Sequence, residues 1–182
     1  MARRKHVSVI TGISGRLGQL LARRLHRIDG EVVLGIDRRA FSRRPADVEH
    51  FRIDIRRKAA EDVFRTRRVD VIYHLGVMHD PRKDTSEHHS WNILGTRQIL
   101  DFAKRYGVPK VVILSTGDVY GPQSDNPAYI AEDAPLLGAQ RFAKSFLHDG
   151  PGHLRRQLRF TGVQYRDQED RRHTGARRRG LS

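Results

Sequence analysis

The sequence predicts an α/β domain in three layers, with helices on both faces of a doubly wound parallel sheet. Short apolar runs of strand length alternate with segments whose apolar residues recur at helical spacing, which is the pattern of such a fold. A glycine-rich turn joins the first run to the first helical segment. The length of 182 residues has room for one domain of ordinary size and a tail.

Five apolar runs are predicted strands, because turn residues and charged segments bound each of them. They lie at residues 6–11, 31–36, 51–53, 70–75 and 110–115. The first predicted helix begins after Gly15 and ends at Asp29-Gly30, and further helices follow at 58–67 and 86–106. A helix over 140–148 and a strand over 158–165 are further candidates.

Apolar spacing indicates which residues of two helices pack on the sheet. In the first helix one stripe is apolar and the opposite face is basic. The stripe is Leu17, Leu20, Leu21, Leu25 and Ile28, and the basic face is Arg16, Arg23, Arg24 and Arg27. In the helix over 86–106 the residues available for burial are Trp91, Leu94, Ile99, Leu100 and Phe102.

The turn between the first strand and the first helix contains three glycines, spaced three and three. Gly12 permits a tight turn, Gly15 lets the backbone approach a pyrophosphate, and Gly18 allows the helix to pack closely on the strand. A pyrophosphate at this place lies on the positive amide end of the helix. This position in the chain indicates a dinucleotide-binding Rossmann unit. The alternative is a glycine turn that serves packing alone.

Asp37 follows the second strand, 19 residues beyond Gly18. A carboxylate there accepts hydrogen bonds from the adenosine ribose and repels a 2′-phosphate, which favours NAD as the cofactor. Arg38 and Arg39 come next, and an arginine at this place can pair with a 2′-phosphate. NADP is therefore the alternative cofactor.

Five motifs in order across residues 7–121 resemble those of the extended (or atypical) short-chain dehydrogenase/reductases, the NAD-dependent epimerase/dehydratase family. They are the glycine turn, Asp54-Ile55, His74-Leu75-Gly76, residues 92–96 (Asn-Ile-Leu-Gly-Thr) and residues 115–121 (Ser-Thr-Gly-Asp-Val-Tyr-Gly). The resemblance implies that the second motif contacts adenine and that the third lies along the cofactor. The cofactor-binding residues it implies, with those of the turn and the second strand, are Gly12, Ser14, Gly15, Arg16, Leu17, Gly18, Asp37, Arg38, Asp54, Ile55, Leu75, Gly76 and Ser115.

The resemblance also implies a catalytic hydroxyl, a tyrosine and a lysine, with the tyrosine as the proton carrier. By position, Thr116 is the hydroxyl and Lys144 is the lysine, while Tyr120 is a structural member of its motif. The family places its tyrosine four residues before the lysine, but that residue here is Gln140, which cannot transfer a proton in this role. We therefore expect the role of the tyrosine to be displaced or lost.

The last part of the chain departs from the family. We divide the sequence into an NAD(P)-binding Rossmann domain over 1–145 and a poorly ordered basic Arg/Gly-rich tail over 146–182. Residues 151–182 contain nine arginines and three acidic residues, and the whole chain has a net charge of +14. Family members continue further, with a smaller domain that binds the substrate. We therefore expect a truncated or frame-shifted chain that lacks a complete substrate domain.

Composition and spacing argue against several other classes of protein. The chain contains no cysteine, which excludes disulfides and thiolate metal sites, and no apolar run of membrane-spanning length. With no signal peptide, the default compartment is the cytoplasm. The residues His74, His79, His88, His89, Asp80 and Asp84 match no standard ligand spacing, so no metal is predicted. The basic tail lacks interleaved aromatics, so specific nucleic-acid binding is not expected.

The sequence is consistent with three functions. The first is an NAD(P)-dependent epimerase, dehydratase or reductase that acts by hydride transfer on a nucleotide-sugar-like or other hydroxyl or carbonyl small molecule. The second is a non-catalytic dinucleotide-binding protein or an inactive fragment. The third is a basic nucleic-acid-binding protein on a Rossmann scaffold. The first is preferred, and the family resemblance also makes a homodimer through two helices possible.

Overall fold

The computed structural model describes residues 4–78, 85–115, 120–121, 127–131 and 134–135, apart from the side chain of His89. Within these residues the chain forms a five-stranded parallel sheet with the order β3-β2-β1-β4-β5. The strands are β1 (His6–Thr11), β2 (Glu31–Ile36), β3 (Glu49–Phe51), β4 (Val71–His74) and β5 (Lys110–Ile113). This order is that of a doubly wound Rossmann sheet, as the sequence predicts.

The helices are short except for two. They are α1 (Arg16–Leu25), α2 (Glu61–Arg65), α3 (Ser86–His89) and α4 (Thr96–Arg105). A 3₁₀ turn (Lys58–Ala60) leads into α2, and a π-helical segment (Ser90–Gly95) joins α3 to α4. The predicted helix over 140–148 and strand over 158–165 lie outside the described residues, as does the predicted domain boundary at 145.

Two hydrophobic cores lie on opposite faces of the sheet, because side chains alternate along each strand. On one face, Val9 and Leu34 pack with Phe64 from α2 and Phe102 from α4. On the other face, the second core contains Ala22 from α1, and its other buried members are Ile10, Ile13, Val33, Phe41 and Val48. Helices therefore cover both faces, which gives the predicted three layers.

The first helix packs through small residues and not through the whole predicted stripe. Its buried residues are Gly18 and Ala22, while Leu17 and Leu20 are 48% and 56% exposed. A Cβ on Gly18 would lie 2.4 Å from the carbonyl oxygen of Gly12, so the helix axis passes very close to the preceding turn. This close approach turns the apolar stripe partly towards solvent, and the expectation that all of it packs on the sheet is wrong.

Further element boundaries differ from the prediction. Helix α1 ends at Leu25, before the predicted end at Asp29-Gly30, and β4 and β5 are shorter than predicted. The third strand lies two residues earlier than 51–53, because Glu49–Phe51 is the segment that pairs with Leu34–Ile36 of β2. The predicted continuous helix over 86–106 is interrupted by the π-helical segment. Leu94 in that segment is 52% exposed, whereas the other four residues expected to be buried there are buried.

No helix among the described residues is both long and apolar enough to cross a membrane.

Candidate functional site

The carboxyl ends of β1 and its two neighbours form the candidate site. Strand β2 lies on one side of β1 and β4 lies on the other, so the chain reverses its direction of winding at β1. Parallel α/β sheets bind ligands outside the carboxyl ends of their strands at such a switch point. The turn after β1 and the segments that follow β2 and β4 all lie at this edge.

The glycine turn and the segment after β4 are in direct backbone contact. Gly12 has a φ of +70°, and a Cβ there would lie 2.7 Å from the Cα of Gly76. The N–H of Gly15 donates to the carbonyl of Gly12 at 3.0 Å, which closes the turn. The first and third glycines therefore have the roles predicted for them, a tight turn and a close helix contact. The pyrophosphate role of Gly15 stays a prediction.

The N-terminus of α1 opens on this turn. Gly15 is the capping residue, and no side chain caps the helix or places an acid in its first turn. The first backbone N–H groups of a helix have no partner within the helix and carry its positive dipole end. Arg16 and Leu17, which begin the helix, are exposed. The arrangement is suited to an anion such as a pyrophosphate.

Asp37 lies at the end of β2 and is only 4% exposed. One carboxylate oxygen accepts the N–H of Ser14 at 3.1 Å, and the other accepts the N–H of Arg39 at 2.9 Å. The guanidinium of Arg39 also donates to both oxygens, at 3.3 Å each. The hydroxyl of Ser14 donates to the carbonyl of Arg39 at 2.9 Å. Asp37 is therefore tied both to the glycine turn and to Arg39.

Arg38 contacts Trp91 and Glu87, whereas Asp37 pairs with Arg39. Its guanidinium carbon is 4.9 Å from the centroid of the Trp91 ring, and one nitrogen donates to Glu87 at 3.0 Å. Arg56 lies over the same ring at 5.0 Å. Sequence reasoning placed Trp91 in the core and assigned Arg38 to the cofactor, but a cation–π pair between them has no signature in the sequence.

Asp54 forms a two-nitrogen ion pair with Arg56. The distances from the carboxylate are 3.0 Å to Nε and 2.6 Å to Nη2. These hydrogen bonds hold the pKa of the Asp54 carboxyl below its usual value. Arg56 also donates to the hydroxyl of Ser90 at 3.0 Å, so the predicted adenine end of the site is joined to the π-helical segment.

Ile55 is buried next to this ion pair. A Cβ on Gly95 would lie 2.6 Å from Cδ1 of Ile55, so the π-helical segment approaches the chain after β3 closely at its glycine. Gly95 belongs to the motif over residues 92–96. The glycine contact supplies the physical reason for its small residue.

Side chains from helical segments hold the backbone that follows β4. The indole N–H of Trp91 donates to the carbonyl of Gly76. Asn92 accepts the N–H of Met78 at 2.8 Å and donates to the carbonyl of Met78 at 3.0 Å. Leu75 and Gly76, both predicted to line the cofactor, are thus fixed at the edge of the sheet beside the glycine turn. Sequence reasoning missed the role of Trp91 in this arrangement.

The predicted catalytic residues fall in a less completely described part of the chain. The N–H of Leu114 donates to the carbonyl of His74 at 3.1 Å, so the chain still runs beside β4 just before Ser115. Ser115 is half-buried at this edge. Thr116 and Lys144 lie outside the described residues, so their roles stay predictions.

Histidine and acidic side chains are the metal-ligating groups of this chain, which has no cysteine. Among the residues that the structure describes, no group of three or more such side chains could hold a metal ion. His79, Asp80 and Asp84 lie outside those residues.

The sheet order, the glycine turn and the buried Asp37 together define a Rossmann-fold domain of the short-chain dehydrogenase/reductase class. The chain belongs to the NAD dependent epimerase/dehydratase family, whose model matches residues 8–142.

Known relatives and solved structures agree with this class. A UDP-glucuronate 4-epimerase from Thermodesulfobacterium geofontis is 27% identical over 135 residues, which cover 64% of this chain and 41% of the relative. A short-chain dehydrogenase/reductase superfamily protein from Agrobacterium tumefaciens, solved with bound NAD, is 28% identical with a TM-score of 0.62 and 78% of this chain covered. The UDP-glucuronic acid 4-epimerase from Bacillus cereus, solved in complex with NAD, is 23% identical with a TM-score of 0.63 and the same coverage.

The chain spans less than half the length of these relatives. It covers 42% of the Agrobacterium chain and 49% of the Bacillus chain.

Proposed function

We propose that this chain binds NAD at the carboxyl edge of its sheet, as the cofactor-binding part of an enzyme that acts on a nucleotide-sugar-like substrate by hydride transfer. The observation that carries the proposal is the contact between the glycine turn and Asp37, whose carboxylate lies 3.1 Å from the N–H of Ser14. This contact supports the proposal, because the helix end would bind the pyrophosphate and the neighbouring carboxylate would accept hydrogen bonds from the ribose. The family assignment and the NAD bound to the Agrobacterium relative support the same cofactor.

The residues of the site fit a dinucleotide. Gly15 carries no side chain, so nothing from that residue stands between a pyrophosphate and the uncapped first turn of α1. A Cβ there would be 3.6 Å from Nη2 of Arg39, so this guanidinium lies close to the turn that would hold the phosphates. Asp37 would hold the ribose hydroxyls, Asp54 and Ile55 the adenine, and Leu75 and Gly76 the segment along the cofactor. The bound NAD would supply hydride acceptance and donation.

Arg39 bears on the choice between NAD and NADP. A free carboxylate at the end of β2 repels a 2′-phosphate, but here a guanidinium already pairs with it. Arg39 is 65% exposed and is therefore able to leave Asp37 when a ribose binds. We propose NAD as the main cofactor, with NADP accepted more readily than a lone aspartate would allow.

A second function is a dinucleotide-binding protein without catalytic activity. The observation that favours it is Gln140 at the position of the family's tyrosine, four residues before Lys144. A chain of this kind would bind NAD but would not convert a nucleotide sugar. Thr116 and Lys144 remain the proposed catalytic hydroxyl and lysine of the first function.

Calorimetric titration of NAD and NADP into the purified chain tests the binding. Gly15→Asp puts a carboxylate at the pyrophosphate position and should abolish binding. Leu20→Asp adds the same charge to an exposed position one turn later on α1, and it should bind as the wild type does. If folded wild-type protein binds neither nucleotide, or if both variants behave alike, the proposed site is wrong.

Conversion of a nucleotide sugar separates the two functions. The NAD-loaded chain is incubated with UDP-glucose and with UDP-glucuronate, and the products are resolved by chromatography. Turnover that Thr116→Ala and Lys144→Met each lose supports the enzyme. Tight NAD binding without any product supports the non-catalytic protein.

A further inference from the structure

His74, at the carboxyl end of β4, is completely buried between two threonines. Its Nδ1 lies 2.7 Å from the hydroxyl oxygen of Thr11 on β1, and its Nε2 lies 2.8 Å from the hydroxyl oxygen of Thr96 on α4. Thr11 is 0% exposed and Thr96 is 2% exposed. The three side chains thus form a buried hydrogen-bonded chain that crosses from one strand to the next and on to a helix.

The hydrogen bonds of Thr11 point to one of the two neutral tautomers of the ring. The Thr11 oxygen accepts the N–H of Gly76 at 3.2 Å. Its hydroxyl proton needs an acceptor, and among the described residues the remaining polar contact of that oxygen is Nδ1 of His74. With Nδ1 unprotonated, the Thr11 hydroxyl donates to the ring while its oxygen accepts the Gly76 amide, and in this neutral ring Nε2–H donates to Thr96. Burial supports this state, because it lowers the pKa of His74 to about 4.

A charged ring would break the chain of hydrogen bonds at its first link. With both ring nitrogens protonated, the ring and the hydroxyl of Thr11 would point donors at each other. The Thr11 hydroxyl proton would then turn away from the ring and lose its acceptor, so the oxygen that accepts the Gly76 amide would be held less firmly. The carbonyl of Gly76 is held independently by the Trp91 indole, so the N–H is the backbone group of Gly76 that depends on Thr11.

We propose that His74 is a positioning residue, whose neutral Nε2–H tautomer orients the Thr11 hydroxyl and so fixes Gly76 against the glycine turn where the dinucleotide binds. The effect on cofactor affinity rests on the proposed function, whereas the tautomer and the state of the Gly76 amide do not. A histidine that only filled the core would tolerate either tautomer. It would also have no particular link to the Gly76 amide.

The first experiment reads the tautomer in the free protein. Long-range ¹H–¹⁵N correlation NMR on histidine-labelled protein distinguishes the two neutral tautomers and the charged ring. At neutral pH we expect a neutral His74 with its proton on Nε2. A proton on Nδ1, or a charged ring, overturns the proposal.

The second experiment distinguishes the effect of the hydrogen bond at Nδ1 from the effect of the hydrogen bond at Nε2. In His74→Asn the side-chain oxygen occupies the place of Nδ1, so the acceptor for the Thr11 hydroxyl is kept. In His74→Gln the amide nitrogen occupies the place of Nε2, so only the donor to Thr96 is kept. We expect hydrogen exchange of the Gly76 amide to be about tenfold faster in the Gln variant than in the Asn variant, since one buried hydrogen bond is lost. Equal exchange in the two variants overturns the proposal.

Thr11 provides a second pair of variants in case neither His74 variant folds. Thr11→Val removes the hydroxyl at constant shape and should speed Gly76 exchange and weaken NAD binding about tenfold. Thr11→Ser should restore both. Thr66→Val makes the same change at an exposed threonine and serves as the control. If Thr11→Val leaves Gly76 exchange unchanged, the positioning role is wrong. If Gly76 responds as expected while wild-type protein binds no NAD, the positioning role stands and the proposed function fails.

Discussion

The Cα of Gly76 lies 2.7 Å from the place that a Cβ on Gly12 would occupy, so these two residues bring the turn after β1 and the segment after β4 into backbone contact. Nothing larger than hydrogen fits between them. The contact fixes the two sides of the proposed NAD site relative to each other, and it makes the stability of the fold depend on the residues that form the site.

Replacing Gly12 by alanine should therefore be very destabilising. Its φ of +70° disfavours any side chain, and the new methyl group would overlap the backbone of Gly76. We expect a loss of about 3–5 kcal/mol in the free energy of unfolding, measured by urea denaturation. Gly107 is the matched control, because its φ is +62° but a Cβ there meets nothing within 4 Å. Gly107→Ala should cost only about 1–2 kcal/mol. Equal losses at the two positions would contradict the backbone contact.

Removing the guanidinium of Arg39 should change nucleotide preference. Arg39→Ala leaves the Asp37 carboxylate without its cation, so repulsion of a 2′-phosphate increases while the ribose hydroxyls of NAD meet no competitor. We expect the ratio of NAD to NADP affinity to rise about tenfold, measured by calorimetry, since a lost charge-assisted contact is worth about that much. Arg43→Ala removes the same charge from the same loop and should leave the ratio unchanged. An unchanged ratio in Arg39→Ala would show that Arg39 has no part in selectivity.

The buried imidazole of His74 should make stability fall in mild acid. Its pKa is lowered to about 4 in the folded protein against 6.5 in the unfolded chain, so the unfolded state binds the extra proton between these values. The stability is complete above about pH 6.5 and is lost as pH falls towards 4, by about 3 kcal/mol in total. His50, whose pKa is also lowered by burial, acts in the same direction.

Urea unfolding between pH 7 and pH 4.5 measures this dependence. At pH 7, His74→Gln should have a lower free energy of unfolding than the wild type. As the pH falls, however, its free energy of unfolding should decrease clearly less than that of the wild type. The decline that remains in the variant is expected from His50. If the two proteins lose stability in parallel over this range, His74 does not titrate as its burial implies.

The indole of Trp91 should contribute to stability through its N–H group as well as through its ring. Trp91→Phe keeps an aromatic side chain but leaves the carbonyl of Gly76 without its donor. We expect a loss of about 2 kcal/mol in the free energy of unfolding. Tyr106→Phe, which removes a hydroxyl bonded to Glu61 at the edge of the protein, should cost less than about 1 kcal/mol. If the tryptophan variant is as stable as the tyrosine variant, the indole bond contributes little to the site.

The elements that the sequence predicts correctly are those specified locally. Both β1 and β2 have the predicted ends, because a buried apolar run is bounded on each side by polar or turn residues. The third strand is displaced because its position depends on pairing with β2, a tertiary contact that the apolar pattern around Phe51 does not show. The π-helical segment is likewise a product of tertiary contacts, since Trp91 and Asn92 both reach the backbone after β4.

The candidate site likewise contains some features that the local sequence specifies and others that depend on tertiary contacts. The glycine turn and Asp37 are predictable because a short motif with fixed spacing encodes them. The pairing of Asp37 with Arg39, and of Arg38 with Trp91, is not predictable, since the two arginines are adjacent in the sequence but have different partners. Small residues had an unexpected effect as well, because Gly18 brings α1 so near the turn that Leu17 is left exposed.

Titration of ¹⁵N-labelled protein with NAD, followed by amide NMR, tests the central claim most directly. We predict saturable shifts concentrated at the carboxyl edge of the sheet, at Gly12, Ser14, Gly15, Asp37 and Gly76. Gly107, which follows the C-terminal end of α4, should change little. A folded protein whose spectrum is unchanged at saturating NAD, or whose shifts lie away from these residues, would contradict the proposed cofactor site.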